Sequence, residues 1–145
     1  MSEHDIKVGM SIFFDKEVVS SDTAAAYGSK ALDFLLSTPA LVGMLIDASA
    51  ELLDPLVPQE CVTVGNSVEL YHEKPTLLGE NVRLVVTVSA VAGDKISLDF
   101  IAYDKVGVIA RGKHERFVVL GDDVLADAYE RLGLEQTGFT STTIL

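Results

Sequence analysis

The chain has 145 residues, of which 48% are hydrophobic and 23% charged, and its formal net charge is −11. This length and composition are typical of one folded domain with a sizeable core, here spanning residues 1–145. A strongly acidic chain lacks the basic face that nucleic-acid binding needs, so we expect no nucleic-acid partner. An anionic ligand would have to be met by local positive charge.

The sequence carries no signal for a targeting segment, an intrachain disulfide or a metal site. No basic stretch precedes an apolar run, and no apolar run reaches about 18 residues, so we expect neither a signal peptide nor a membrane span. Cys61 is the single cysteine, which excludes an intrachain disulfide and favours a reducing, cytoplasmic location. We interpret Cys61 as a buried residue rather than a nucleophile. The three histidines are scattered, so no metal site is expected.

The first part of the chain leads into one long helix. A loose leader over residues 1–8 is followed by a strand over 9–19, a helical turn over 23–27 and an ambiguous segment over 31–37. Ser37 or Thr38 can cap the helix, and Pro39 fits its first turn. The pair Asp54-Pro55 ends it, because a residue before proline avoids helical geometry.

The two sides of this helix differ in character. At about 100° per residue, one side carries Val42, Leu45, Ile46, Ser49 and Leu53. Another side turns polar toward the end of the helix and is predicted to face solvent or an interface; it carries Gly43, Asp47, Glu51 and Asp54.

The rest of the chain is predicted to be mostly strands. Four strands are expected in a meander, over residues 61–71, 81–91, 96–103 and 108–120, with strict alternation in the first unless a bulge lies near Gly65-Asn66. A short helix over 124–132 and a poorly ordered tail over 133–145 follow. One helix cannot cover both faces of such a sheet. We therefore predict an α+β fold in which a curved antiparallel sheet of about five strands wraps around the helix. Its open edges and free face favour a homodimer or a tetramer.

Five local motifs, in this order, carry a family resemblance over residues 9–119. The chain resembles the hotdog-fold acyl-CoA thioesterases, and within them the fluoroacetyl-CoA thioesterase-like branch. The motifs are Thr23-Ala24-Ala25-Ala26-Tyr27-Gly28-Ser29, Ser37-Thr38-Pro39-Ala40-Leu41, Thr63-Val64-Gly65, Val68-Glu69-Leu70-Tyr71-His72 with Gly79 following, and His114-Glu115-Arg116-Phe117-Val118-Val119.

The resemblance assigns roles to several residues. In that branch a threonine at the start of the helix, a glutamate two turns on and a histidine ending the second strand act on the thioester. Thr38 and His72 match the first and last, while Gly65 and Arg116 match positions that line the acyl or CoA site. Where the glutamate is expected, this chain has Ile46.

The nearest carboxylate to that position is Asp47. It lies about 180° around the helix from Thr38, so its catalytic role competes with membership of the polar stripe. Thr38 is either a plain cap or a hydroxyl that contacts the thioester. His72 is either a general base or a rim histidine bonded to backbone, and we interpret His114 as a packing residue and His4 as idle.

The leading hypothesis is hydrolysis of a small or medium acyl-CoA thioester to free acid and CoA, with no cofactor. Phosphates of CoA would be held by cations drawn from Lys74, Arg83, Arg111, Lys113 and Arg116. Phe34 and the small helix residues Ala40, Gly43 and Ala48 are candidates to shape the acyl pocket. The alternative is a non-catalytic module that binds an acyl-CoA-like ligand, which Ile46 favours. A hotdog hydratase is disfavoured because the helix lacks the expected Asp and His motif.

Overall fold

The computed structural model describes residues 3–134. Five antiparallel strands form one sheet in the order β1-β3-β4-β5-β2, and the long helix α1 packs on it. The strands are β1 (Ser11–Glu17), β2 (Cys61–His72), β3 (Asn81–Ala92), β4 (Lys95–Tyr103) and β5 (Val108–Leu120). The helices are α1 (Thr38–Leu53) and α2 (Gly121–Arg131), with short 3-10 turns at Ser20–Asp22, Ala24–Tyr27 and Asp54–Leu56. The predicted α+β architecture, a curved sheet around one long helix, is confirmed.

The predicted four-strand meander is wrong in one connection. Strands β3, β4 and β5 are sequential neighbours, but β2 pairs with β5 at the far edge of the sheet. The two residues between β3 and β4 force those strands to be adjacent. Eight residues, 73–80, join β2 to β3, which is ample to cross the roughly 14 Å between strands three positions apart.

The core lies between α1 and the inward side chains of the sheet. Leu41, Leu45 and Ala48 of α1 are fully buried, as are Leu84 and Leu98 of the sheet. The alternating burial along β3 and β4 shows one face against α1 and the other facing outward. Burial of this face is the main source of stability for the fold.

The helix faces differ from the predicted ones. Leu45, Ser49 and Leu53 are buried as expected, but Ile46 is 40% exposed. The buried face is rotated toward Leu41, Met44 and Ala48 because the sheet contacts that side. Ile46 therefore joins an exposed, partly apolar face with Pro39 and Gly43.

Segment ends also differ from prediction. The described part of the leader is anchored rather than loose, since Ile6 is buried and His4 Nε2 lies 2.8 Å from the Gly93 carbonyl oxygen. Helix α2 starts at Gly121, three residues earlier than predicted. Most of the predicted tail, residues 135–145, lies outside the described residues.

The register of β2 shifts at one point, and neither edge strand of the sheet has an outer partner strand among residues 3–134. A bulge falls between Gly65 and Ser67, where the pattern had left room for one. Strand β2, with 12 residues, is one edge of the sheet, and the seven-residue β1 is the other. No helix among residues 3–134 is long and apolar enough to cross a membrane.

Candidate functional site

The start of α1 presents the Thr38 side chain rather than using it as a cap. Ser37 is the N-cap residue, and its hydroxyl oxygen accepts the Ala40 N–H at 3.1 Å. Pro39 lies in the first turn, where a missing N–H costs little. Because Ser37 does the capping, the Thr38 hydroxyl is available for another contact.

That contact is His72, the last residue of β2. Thr38 Oγ1 and His72 Nδ1 are 2.9 Å apart, a hydrogen bond between residues 34 positions apart in sequence. The end of β2 is fixed because the N–H groups of Glu73 and Lys74 both donate to the Ile109 carbonyl oxygen. The structure thus brings together the two residues that the sequence nominated first.

The His72 imidazole is held in its neutral form. Burial lowers its pKa below the ordinary value, and the backbone of Lys74 opposes this shift in part. Its Nε2 atom is buried and has no hydrogen-bond partner among the described residues. Because Nδ1 is hydrogen-bonded to Thr38 and Nε2 is enclosed, this imidazole can accept a proton from the Thr38 hydroxyl.

The segment before α1 forms a wall of the site. It is held on both sides by backbone hydrogen bonds, from Ala24 N–H to the Leu35 oxygen at 3.0 Å and from Leu36 N–H to the Thr76 oxygen at 2.9 Å. This resolves the ambiguity of residues 31–37, which form short bridges with residues 23 and 77 rather than a helix.

A groove of about 420 Å³ lies between this wall, the start of α1 and the end of β2, and Thr38 and His72 line it. Leu32 and Leu35 line it as well, whereas Phe34, the aromatic candidate, is not among its lining residues. The further lining residues are Ala24, Tyr27, Ser29, Leu36, Ser37, Pro39, Glu73, Lys74 and Pro75.

Gly65 and Arg116 lie together, but away from the Thr38–His72 pair. They face each other in the β2–β5 register. Seven residues of strand separate Gly65 from His72, which is about 23 Å within one chain. A Cβ atom on Gly65 would lie 3.5 Å from Arg116 Nη1 and 3.4 Å from His114 Cε1, which are ordinary van der Waals distances, so Gly65 lies directly against this cluster.

Arg116 is buried in a polar cluster. Its Nη2 donates to the Thr63 carbonyl oxygen at 2.7 Å, and its Nε donates to Thr63 Oγ1 at 3.2 Å. Thr63 Oγ1 in turn donates to Asp54 Oδ1 at 2.7 Å. Burial lowers the pKa of Arg116, and the negative charge of Asp54 opposes that effect. Arg116 remains charged, because its ordinary pKa lies far above neutral pH.

His114 completes this cluster as a neutral imidazole. Its Nδ1 donates to the Ser67 carbonyl oxygen at 2.8 Å, which leaves Nε2 to accept from Arg116 Nη1 at 3.3 Å. Burial lowers the pKa of His114, and the Arg116 charge lowers it further. The interpretation of His114 as a packing residue therefore agrees with its burial. Its Nε2 acceptor also holds the Arg116 guanidinium in place.

The structure does not bring Asp47 to the pair. Asp47 is exposed on α1, nine residues after Thr38, or about 14 Å along the helix axis. Ile46, in the position of the expected glutamate, is also exposed. Within one chain, the second and later turns of α1 therefore place no carboxylate in contact with His72.

The candidate phosphate ligands differ in availability. Arg83 is engaged with Asp15, and Arg111 with Glu73. Lys74 forms no ion pair within residues 3–134 and lines the groove. Lys113 is exposed on the outer face of the sheet. Cys61 is buried, as predicted. The described residues contain no group of three or more His, Cys, Asp or Glu side chains placed to hold a metal ion.

Sequence reasoning missed the apolar lining of the groove. Tyr27, Leu32 and Leu35 lie in a stretch interrupted by Gly28-Ser29 and Asp33, which hides any periodic pattern. The usable signal was the unusual density of large apolar residues in a segment predicted to be a connection.

Comparisons with known proteins agree with this geometry. The model of the family "FlK: Fluoroacetyl-CoA-specific thioesterase" matches residues 18–122. A hot-dog-like protein from Thermanaerovibrio acidaminovorans is 35% identical, with 88% of this chain and 94% of that chain covered and a TM-score of 0.83. No curated protein matches in a sequence search.

Two more distant solved structures share the fold. A mutant of the fluoroacetyl-CoA-specific thioesterase FlK is 21% identical, with 89% of this chain and 99% of that chain covered and a TM-score of 0.80. A thioesterase superfamily member from Thermus thermophilus is 22% identical, with coverages of 89% and 94% and a TM-score of 0.79. The predicted hotdog fold is thereby confirmed.

Proposed function

The chain belongs to the family of the fluoroacetyl-CoA-specific thioesterase FlK, and from this membership we propose that it hydrolyses an acyl-CoA thioester to the free acid and CoA. The observation that carries the proposal is the hydrogen bond of 2.9 Å between the Thr38 hydroxyl and the His72 imidazole. A hydroxyl paired with a neutral base is the arrangement that acyl transfer requires.

Thr38 acts as the nucleophile in this proposal. Its Oγ1 attacks the thioester carbonyl carbon while its proton passes to His72 Nδ1. The negative charge that develops on the carbonyl oxygen lies near the positive end of the α1 dipole. The C–S bond then breaks, and the imidazolium returns the proton to the departing CoA sulfur.

Water completes the turnover. His72 takes a proton from a water molecule, the resulting hydroxide attacks the Thr38 ester, and the threonine oxygen leaves with that proton. This route needs one base and no carboxylate, which suits a chain that has Ile46 at the expected glutamate position. Asp47 is retained as a competing candidate only if a second copy supplies it to the pair.

A second copy of the chain would complete the site. Strand β2 is an open edge, and the neighbouring α1 face exposes Pro39, Gly43 and Ile46. If two β2 edges pair antiparallel about a point between residues 68 and 69, Gly65 of one copy stands opposite His72 of the other. The Gly65–Arg116 cluster would then border the groove of its partner, so we propose a homodimer with two composite sites.

Charge at the groove fits an anionic substrate. Lys74 forms no ion pair within residues 3–134, whereas Glu73 at the same groove is paired with Arg111, so we propose that Lys74 contacts a phosphate of CoA. Without such local charge, the net charge of −11 would disfavour a polyanionic substrate. The proposal includes a cytoplasmic location, which the single buried Cys61 favours.

The direct test is thiol release from a panel of acyl-CoAs, with intact-protein mass spectrometry of a quenched reaction. We expect turnover and, in the quenched sample, an acyl adduct that maps to Thr38. Binding of the panel without release of CoA would replace the proposal by a non-catalytic acyl-CoA-binding module. Turnover without an adduct under any quench, and unaltered by Thr38→Ala, would exclude Thr38 as nucleophile.

Light scattering coupled to gel filtration tests the assembly. We expect a mass of twice the 15.6 kDa chain. A strictly monomeric protein that retains full activity would contradict the composite site, although the Thr38–His72 chemistry could still hold.

A further inference from the structure

The groove beside the reactive pair has an apolar lining that a two-carbon acyl group would not use. Thr38 and His72 occupy one part of it, and large apolar side chains from the preceding segment occupy another. Tyr27 is 54% exposed and Leu32 39% exposed, and the Leu32 N–H donates to the Ser29 carbonyl oxygen at 2.8 Å. Apolar surface of this extent, at a site that contains a nucleophile and a base, indicates a ligand with an apolar portion.

The lining is preformed. Backbone hydrogen bonds hold the wall on both sides, and a further bond of 2.8 Å joins Leu78 N–H to the Phe34 oxygen. Pro39 and Pro75 stiffen the remaining rim. A ligand that covers these side chains therefore gains the free energy of apolar burial without first ordering a loop.

We propose that the substrate is a CoA thioester of a medium-length, apolar acyl chain such as hexanoyl, whose tail covers Leu32, Leu35 and Tyr27. This inference rests on the proposed function and specifies its substrate class. The groove volume of about 420 Å³ is within the range of sites for small organic ligands. Lys74 at the same groove gives it a cationic element, which matches an amphiphilic ligand with an anionic head.

Chain length provides the first test. The assay measures kcat/KM for acetyl-, butyryl-, hexanoyl- and octanoyl-CoA with the full-length protein. Each methylene buried in the groove should raise kcat/KM about fourfold until the groove is filled. A flat or falling profile from acetyl to hexanoyl would overturn the inference while leaving the proposed hydrolysis intact.

A matched pair of variants provides the second test. Leu32→Ala removes apolar surface from the groove and should lower the ratio of hexanoyl to acetyl kcat/KM by about fivefold. Leu132→Ala makes the same chemical change at a residue that is 70% exposed beyond α2, and the ratio should stay unchanged. An equal change of this ratio in the two variants would show that Leu32 does not contact the acyl chain.

Binding of unreactive thioethers separates this inference from the proposed function. Calorimetry with S-hexyl-CoA and S-ethyl-CoA should show at least about tenfold tighter binding of the hexyl compound. Tighter hexyl binding in a protein that hydrolyses none of the panel would overturn the proposed function and keep the chain preference. Equal binding of the two would overturn the preference itself.

Discussion

Replacement of Arg116 by methionine tests the buried polar cluster. Met approximates the length of the arginine stem but donates no hydrogen bond, so the Thr63 carbonyl oxygen, Thr63 Oγ1 and His114 Nε2 lose their donor. Thr63 Oγ1 keeps its own bond to Asp54, so two acceptors are left unpaired. A buried acceptor left unpaired costs about 1–3 kcal/mol. Two of them cost about 2–6 kcal/mol, and relief from burying a guanidinium offsets part of that. We expect the free energy of unfolding to fall by about 3 kcal/mol.

Urea unfolding measures this loss. With a slope of about 2 kcal/mol per M, the midpoint should fall by about 1.5 M. Arg83→Met is the matched control, because Arg83 pairs with Asp15 on the surface and stacks over Phe13, with its guanidinium carbon 4.4 Å from the ring centroid. Solvent screens that pair, so its midpoint should shift far less. Equal shifts, or a more stable Arg116→Met protein, would refute this account of the cluster.

Two further predictions concern packing and pH. Gly112→Ala should cost about 3 kcal/mol, since a Cβ there would overlap a backbone carbonyl of β2 and lie 2.8 Å from Phe100 Cε1; at Gly121 of α2 a Cβ would have no neighbour closer than 3.7 Å, so Gly121→Ala should be neutral or stabilising in the same melts. The lowered pKa values of His72 and His114 mean that the unfolded chain takes up protons first as pH falls. The histidine contribution to stability is therefore full above the ordinary pKa and is lost as pH falls through the pKa values of the folded protein. The urea midpoint should fall between pH 7.5 and pH 5, and it should fall less steeply in His114→Gln. An unchanged dependence of the midpoint on pH in that variant would contradict the lowered pKa of His114.

Local sequence signals predicted much of the fold. The Ser-Thr-Pro start and the Asp-Pro end placed α1 to within a residue, because caps and prolines act through neighbouring backbone atoms. Period-two alternation located four strands within a few residues, because successive side chains of a strand point to opposite faces of the sheet. The position of β2 at the sheet edge was not predictable this way, since an eight-residue connection permits several neighbours.

The site was predictable only in part. Thr38 and His72 were nominated from family motifs, but their 2.9 Å contact depends on how the sheet bends around α1. The rotation of α1 that exposes Ile46 likewise depends on which strands contact the helix. The link from Arg116 through Thr63 to Asp54 joins three elements, so no local pattern in the sequence could indicate it.

The most direct test of the central claim is a double-mutant cycle on the reactive pair, measured as kcat/KM for hexanoyl-CoA. We expect His72→Ala and Thr38→Ala each to lower kcat/KM by about 10²-fold or more, because in the proposed mechanism the imidazole and the hydroxyl act in one step. If they act as a unit, the double variant should be no slower than the slower single variant. Full activity in His72→Ala, or losses that multiply in the double variant, would contradict a shared role in breaking the thioester.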